Sequence, residues 1–138
     1  MPKVLIADDK IENRYVLINF FKLLGPDAGI EIIESSSAAE AIEKIIEEKP
    51  SLVLMDINME TNDAGIFALK SIRSTPEVAD TQIWALTAKI INSQDTSGIK
   101  GFDDYIMKPF DLVELLIKAS KFLNIEIPEK LKQRMGIK

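Results

Sequence analysis

Five polar side chains stand at the carboxyl ends of short apolar runs. Asp8 and Asp9 follow KVLIA, Asp56 follows SLVLM, Thr87 follows QIWAL, and Lys108 follows DYIM. Taken singly these residues say little, because an Asp after a strand commonly caps a turn or helix. Taken together they offer three carboxylates, a hydroxyl and an ammonium for one site. Three carboxylates a few ångströms apart repel and raise one another's pKa, and a divalent cation removes that cost. Oxygen-only ligands favour Mg²⁺ or a similarly hard ion. Such an ion commonly bridges carboxylates to a phosphate, so a phosphoryl group is the natural missing ligand. Lys108 and Thr87 suit its oxygens, and a carboxylate nucleophile forming an aspartyl phosphate fits the remaining group.

These residues can meet only if the elements before them lie side by side. Five short β-like runs alternate with helix-like segments. The runs are Lys3–Ala7, Ile30–Glu34, Ser51–Met55, Gln82–Leu86 and Asp104–Met107. The second alternates, as an edge strand does, and the third is continuously apolar, as a strand covered on both faces should be. Helices are expected at Ile11–Leu24, stopped by Gly25 and Pro26, and at Ala38–Glu48, opened by Ser37 and Glu40 in a capping-box pattern. Further helices are expected at Gly65–Ser74 and at Leu112–Leu123, the latter capped by Asp111. The segment 89–100 is polar, contains Gly98 and makes at best a weak helix. Phe20, Phe21, Leu23 and Leu24 read as core of the first helix, Trp84 as a packed strand aromatic, and Met55 and Met59 as packing around the nucleophile's strand end. This alternation implies a parallel sheet with helices on both faces. In such a sheet ligands bind outside the carboxyl ends of the strands, where the five polar residues stand.

Composition narrows the chemistry. The 138 residues suit one domain with a sizeable core, and at 46% hydrophobic and 28% charged they are ordinary for a globular protein. There is no cysteine and no histidine. Disulfides, thiolate metal sites, Ser-His-Asp triads and imidazole bases are therefore excluded. Net charge is −5, but the last ten residues, Glu129–Lys138, hold four cations and one anion, leaving −8 on the rest. An acidic body argues against nucleic acid as a partner. The absence of a signal-peptide pattern and of a long apolar run implies no membrane association and a cytoplasmic location. The basic tail reads as a solvated terminal helix after Pro128, with Leu131 and Met135 four apart, and is too short for an output domain.

The stretches KVLIADD, Asn13-Arg14 in DDKIENR, LVLMDINM, ALTA and DDYIMKPF occur in family order from residue 3 to about residue 123, nearly nine-tenths of the chain. In this the chain resembles the receiver domain of two-component response regulators, of the chemotaxis-regulator type. The resemblance implies a flavodoxin-like (βα)5 doubly wound sheet with strand order 2-1-3-4-5, a receiver at 1–123 and a short extension at 124–138. It implies Asp56 as phosphoacceptor, and Mg²⁺ held by Asp9, Asp56 and the backbone carbonyl of Asn58, with Asp8 acting through a metal-bound water. Lys108 would pair with the phosphoryl oxygens, or with Asp56 before phosphorylation. Thr87 would be the switch hydroxyl, and Tyr105 the switch aromatic that turns inward when Thr87 moves. The Lys108–Pro109 bond would be cis. The implied donor is the phosphohistidine of a sensor histidine kinase or histidine phosphotransfer protein, and the recipient of the signal is a downstream protein target. On this reading the chain is a signalling phosphoacceptor rather than an enzyme.

The chain also departs from the family pattern. Where the family usually has proline four residues after the phosphoacceptor, Glu60 stands here and is expected to add acid near the mouth of the site. The loop is one residue longer, putting the family's glycine at Gly65, and the Thr87–Lys108 spacing is about one residue short. Lys89 could reach the phosphoryl group and shield it from water. Two other functions fit parts of the pattern. An aspartate-nucleophile phosphohydrolase of the haloacid dehalogenase type usually has a second Asp two residues after the first, and here that position is Asn58. A pseudo-receiver would keep the fold without phosphorylation, against the intact Asp8, Asp9, Asp56, Thr87 and Lys108. The start at Met1, just before the first strand, mildly favours a stand-alone protein.

Overall fold

A computed structural model of the chain describes residues 2–24, 29–61, 63–88 and 101–137. Five parallel strands form one sheet in the order β2-β1-β3-β4-β5. They are β1 (Lys3–Ala7), β2 (Glu31–Ser35), β3 (Leu52–Asp56), β4 (Ile83–Thr87) and β5 (Asp104–Met107). The described helices are α1 (Ile11–Lys22), α2 (Ala38–Glu48), α3 (Ala64–Arg73), α4 (Leu112–Leu123) and α5 (Glu129–Met135). This is the flavodoxin-like doubly wound arrangement. The expected stop at Gly25-Pro26, the weak helix with Gly98, and Lys89 lie outside the described residues.

Period-2 alternation divides the strand side chains between two layers of core. Leu5, Val53, Met55 and Ile83 face α2 and α3 on one side. Val4, Ile6, Leu54, Trp84 and Leu86 face α1, α4 and α5 on the other. Every residue of β3 and β4 is buried, whereas β2, at the edge, is partly exposed. Trp84 packs edge-on against Phe122, with ring centroids 5.9 Å apart, as a packed aromatic should. Met55 and Met59 are buried in the α2/α3-side core.

Three strands start and end one residue later than their apolar runs suggest. A parallel ladder pairs backbones whatever the side chain, so pairing runs on through the polar residue. Asp56 pairs with Leu86, and Thr87 with Met107. Likewise Lys3 pairs with Glu31, leaving Ile30 ahead of the ladder. Both caps expected from sequence are present. Ser37 Oγ accepts from Glu40 N, and Asp111 Oδ1 from Glu114 N, each at 3.1 Å.

α1 ends two residues early. Leu23 N and Leu24 N donate to Phe20 O and Phe21 O, a tightened last turn. Leu17, Phe20, Phe21 and Leu24 share the buried face, while Leu23, expected in the core, falls off that stripe and is exposed.

The tail is more than a solvated helix. Leu131 is only 8% exposed and joins the core between sheet and α1/α4, with Ile127, Met135 and Ile137 packed beside it. Lys130, Gln133 and Arg134 remain on its exposed side. No helix among the described residues is long and apolar enough to cross a membrane.

Candidate functional site

The strand order sets β1 beside β3, so Asp8, Asp9 and Asp56 converge at the carboxyl edge of the sheet. One oxygen from each carboxylate lies within 4.8 Å of the others. Asp8 is fully buried and Asp56 is 3% exposed, whereas Asp9 faces solvent. Lys108, just past β5, reaches across to them. Its Nζ donates to Asp56 Oδ2 at 2.9 Å and to Asp8 Oδ2 at 3.4 Å. Thr87 closes β4 and is buried, and its carbonyl accepts from Lys108 N at 2.8 Å. The Lys108–Pro109 peptide bond is cis.

Burial dominates the electrostatics of Asp56. It pushes the carboxyl up from an ordinary 3.8 to about 6; the hydrogen bond and charge of Lys108 pull it down, and the charge of Asp8 pushes it further up. For Lys108, burial works against the charged form, but the hydrogen bond to Asp56 and the two carboxylate charges outweigh it and the ammonium is held above its usual range. One ammonium among three carboxylates leaves the pocket anionic. All of its ligating atoms are oxygens, the donor set of a hard divalent cation. The cluster can therefore hold a metal ion.

The loop after β3 is shaped by two contacts that position the nucleophile. Asn58 N donates to Asp56 Oδ1 at 3.1 Å, and Gly65 N to Ile57 O at 2.9 Å. At Gly65 α3 comes so close to β3 that a Cβ there would collide with the Asp56 carbonyl oxygen and lie 2.7 Å from Ile57 Cα. The glycine is therefore required by close approach, a role its place in the sequence did not disclose. Glu60, expected to add acid near the mouth of the site, sets both carboxylate oxygens 2.9 Å from Ala38 N at the start of α2.

Arg14 braces the other acidic segment. Its Nη1 donates to Asp8 O at 2.7 Å and its Nε to Glu34 Oε1 at 3.0 Å, tying α1 to the ends of β1 and β2. Sequence reasoning marked Arg14 only as part of a motif. Tyr105 is half-buried, with its ring edge-on to Phe102 (centroids 6.2 Å apart) and against the α2/α3-side core. Burial and the charges of Asp103 and Asp104 push its hydroxyl up.

The family model for the response regulator receiver domain matches residues 4–120. The chain belongs to that family. Among curated relatives, the receiver is 29% identical over 123 residues to the transcriptional regulatory protein PrrA of Mycobacterium tuberculosis, a match covering 88% of this chain and 50% of the relative. The chain spans about half the length of the curated relatives it matches. The receiver superposes on the chemotaxis response regulator CheY4 of Vibrio cholerae with TM-score 0.75 at 26% identity, covering 88% of this chain and 98% of that one. It also shares its fold with the receiver domain of a Pseudomonas aeruginosa sensor histidine kinase, whose structure has a magnesium ion in the active-site cleft. That match has TM-score 0.74 and 21% identity, and covers 89% and 98% of the two chains.

Proposed function

We propose that this receiver accepts a phosphoryl group on Asp56 from the phosphohistidine of a sensor histidine kinase or histidine phosphotransfer protein, and that the modification changes its contacts with a downstream protein or passes the phosphate onward. The observation that carries the reading is a buried Asp56 held by Lys108 at 2.9 Å, with Asp8 and Asp9 alongside. An Asp56 oxygen forms the new bond to phosphorus as the P–N bond of the donor breaks, and the imidazole leaves with the electron pair and takes a proton from water. Lys108 holds the attacking carboxylate beforehand and the phosphoryl oxygens afterwards. Asn58 N orients the second Asp56 oxygen.

Mg²⁺ fits the oxygen-only donor set; Asp9, Asp56 and the Asn58 carbonyl would hold it, and Asp8 would act through water. When bound, it offsets negative charge on carboxylates and phosphate. Phosphorylation adds roughly −1.5 to −2 charge. Thr87 then gains an acceptor, and its movement makes room for Tyr105 to shift in its packing, a two-state element biased by one charge. The receiver occupies 1–123 and residues 124–138 form its extension. The work is that of a cytoplasmic signalling phosphoacceptor, with neither nucleic acid nor membrane as partner of this domain.

Incubation with acetyl phosphate and Mg²⁺ tests the reading by intact mass. The expected result is one added phosphoryl group, absent from Asp56→Asn. No adduct would favour a receiver that is not phosphorylated, and multiple turnover on small phosphoesters would favour a hydrolase.

A further inference from the structure

Glu60 lies two residues beyond Asn58 in the loop between β3 and α3. Both of its carboxylate oxygens sit 2.9 Å from the backbone N of Ala38, the first residue of α2. A helix leaves its first amides without intrahelical partners, and the positive end of its dipole favours a carboxylate there. The neighbouring groups at this end are served locally. Ser37 Oγ accepts from Glu40 N, and Glu40 Oε1 accepts from Ser36 N. The acceptor for Ala38 comes instead from another element, 22 residues along the chain.

The same loop is tied at its other end, since Asn58 N bonds to Asp56 Oδ1 and Gly65 N to Ile57 O. Met59 N also donates to Thr61 O at 3.0 Å, and Met59 is buried in the core beside α2 and α3. The backbone at Asn58 is thus bracketed between strand and α3 on one side and the Glu60 tether to α2 on the other.

We propose that Glu60 is a positioning residue for cation binding: by fastening the loop to the first amide of α2, it holds the Asn58 backbone carbonyl in place for the ion at Asp9 and Asp56. The inference rests on the function proposed above, in which that carbonyl is a metal ligand. Glu60 itself does not touch the ion.

The test is Mg²⁺ titration calorimetry beside thermal unfolding of the metal-free protein. The variants are Glu60→Ala, Glu60→Gln, Ala38→Pro and the Glu60→Ala/Ala38→Pro double. Glu60→Ala is expected to weaken Mg²⁺ binding roughly tenfold, the low end for loss of a group that orients a ligand. Glu60→Gln keeps an acceptor oxygen but not the charge, and should retain most of the affinity. Ala38→Pro removes the donor while leaving Glu60 in place. Proline suits the first helical position, and Ser37 before it is extended, at φ −150° and ψ 163°. Ala38→Pro should weaken Mg²⁺ binding as Glu60→Ala does, and the double variant should lose no more than either single one.

A lower melting temperature with unchanged Mg²⁺ affinity in Glu60→Ala would overturn the proposal, leaving a helix cap alone. An equal loss in Glu60→Gln, or a full further loss in the double variant, would overturn it in favour of a through-space charge effect. A wild-type protein that binds no Mg²⁺ would overturn the underlying reading as well, and that is visible before any variant is made.

Discussion

Replacing Asp56 by Asn should make the metal-free protein more stable while abolishing the proposed reaction. The folded carboxyl holds its proton up to about pH 6, whereas an ordinary aspartate releases it near 3.8. Between those values the folded state binds more protons than the unfolded state, so stability falls as pH rises through the window and stays lower above it. The gap corresponds to about 3 kcal/mol at neutral pH. Solvent does little to screen it, because Asp56 is almost fully buried. The attraction of Lys108 is already contained in the raised value. Asn has the same shape without the charge, so for a chain of this size the melting temperature should rise by roughly 10 °C. The assay is thermal unfolding in EDTA from pH 4 to pH 8. The wild-type curve should fall away from that of Asp56→Asn between about pH 4 and pH 6, then run parallel. Equal or lower stability of Asp56→Asn at pH 7, or a constant difference across the range, would refute the claim that the pocket is electrostatically strained without a cation.

Four other outcomes follow from the same geometry. Mg²⁺ should raise the melting temperature of the wild type but not of Asp56→Asn, with ~2.7 kcal/mol expected at a hundredfold excess over Kd, as followed by scanning calorimetry. Lys108→Met removes the hydrogen bond and charge that lower the Asp56 pKa, so the carboxyl should titrate above its wild-type value in a ¹³C NMR titration of metal-free protein. Gly65→Ala forces a methyl against the backbone of Asp56 and Ile57 and should cost about 2–3 kcal/mol in urea unfolding, together with slower phosphorylation. Leu131→Ala should cost about 2 kcal/mol in urea unfolding, because the tail helix supplies core rather than solvated surface.

Much of this site was readable before folding because its residues punctuate apolar runs. An Asp, Thr or Lys after a short β-like run marks a strand end, and parallel topology brings strand ends together. The one-residue offsets at Asp56 and Thr87 were not readable, because backbone pairing is indifferent to where hydrophobicity stops. Gly65 was visible only as a spacing, since the approach of α3 to the Asp56 carbonyl is a tertiary fact. Arg14 was legible only as part of a motif and Glu60 only as acid near the mouth of the site; their contacts to the backbone groups Asp8 O and Ala38 N are announced by no side-chain pattern. In the tail, Leu131 and Met135 suggested an apolar face, but what that face covers depended on where α1 and α4 leave the sheet.

The central claim is that Asp56 carries the phosphoryl group, and borohydride trapping tests it most directly. Wild-type protein treated with acetyl phosphate and Mg²⁺, reduced with borohydride and mapped by peptide mass spectrometry should show homoserine at position 56 and no other modified carboxylate. Homoserine at another residue, or an unmodified Asp56 in protein that has gained phosphoryl mass, would contradict the account.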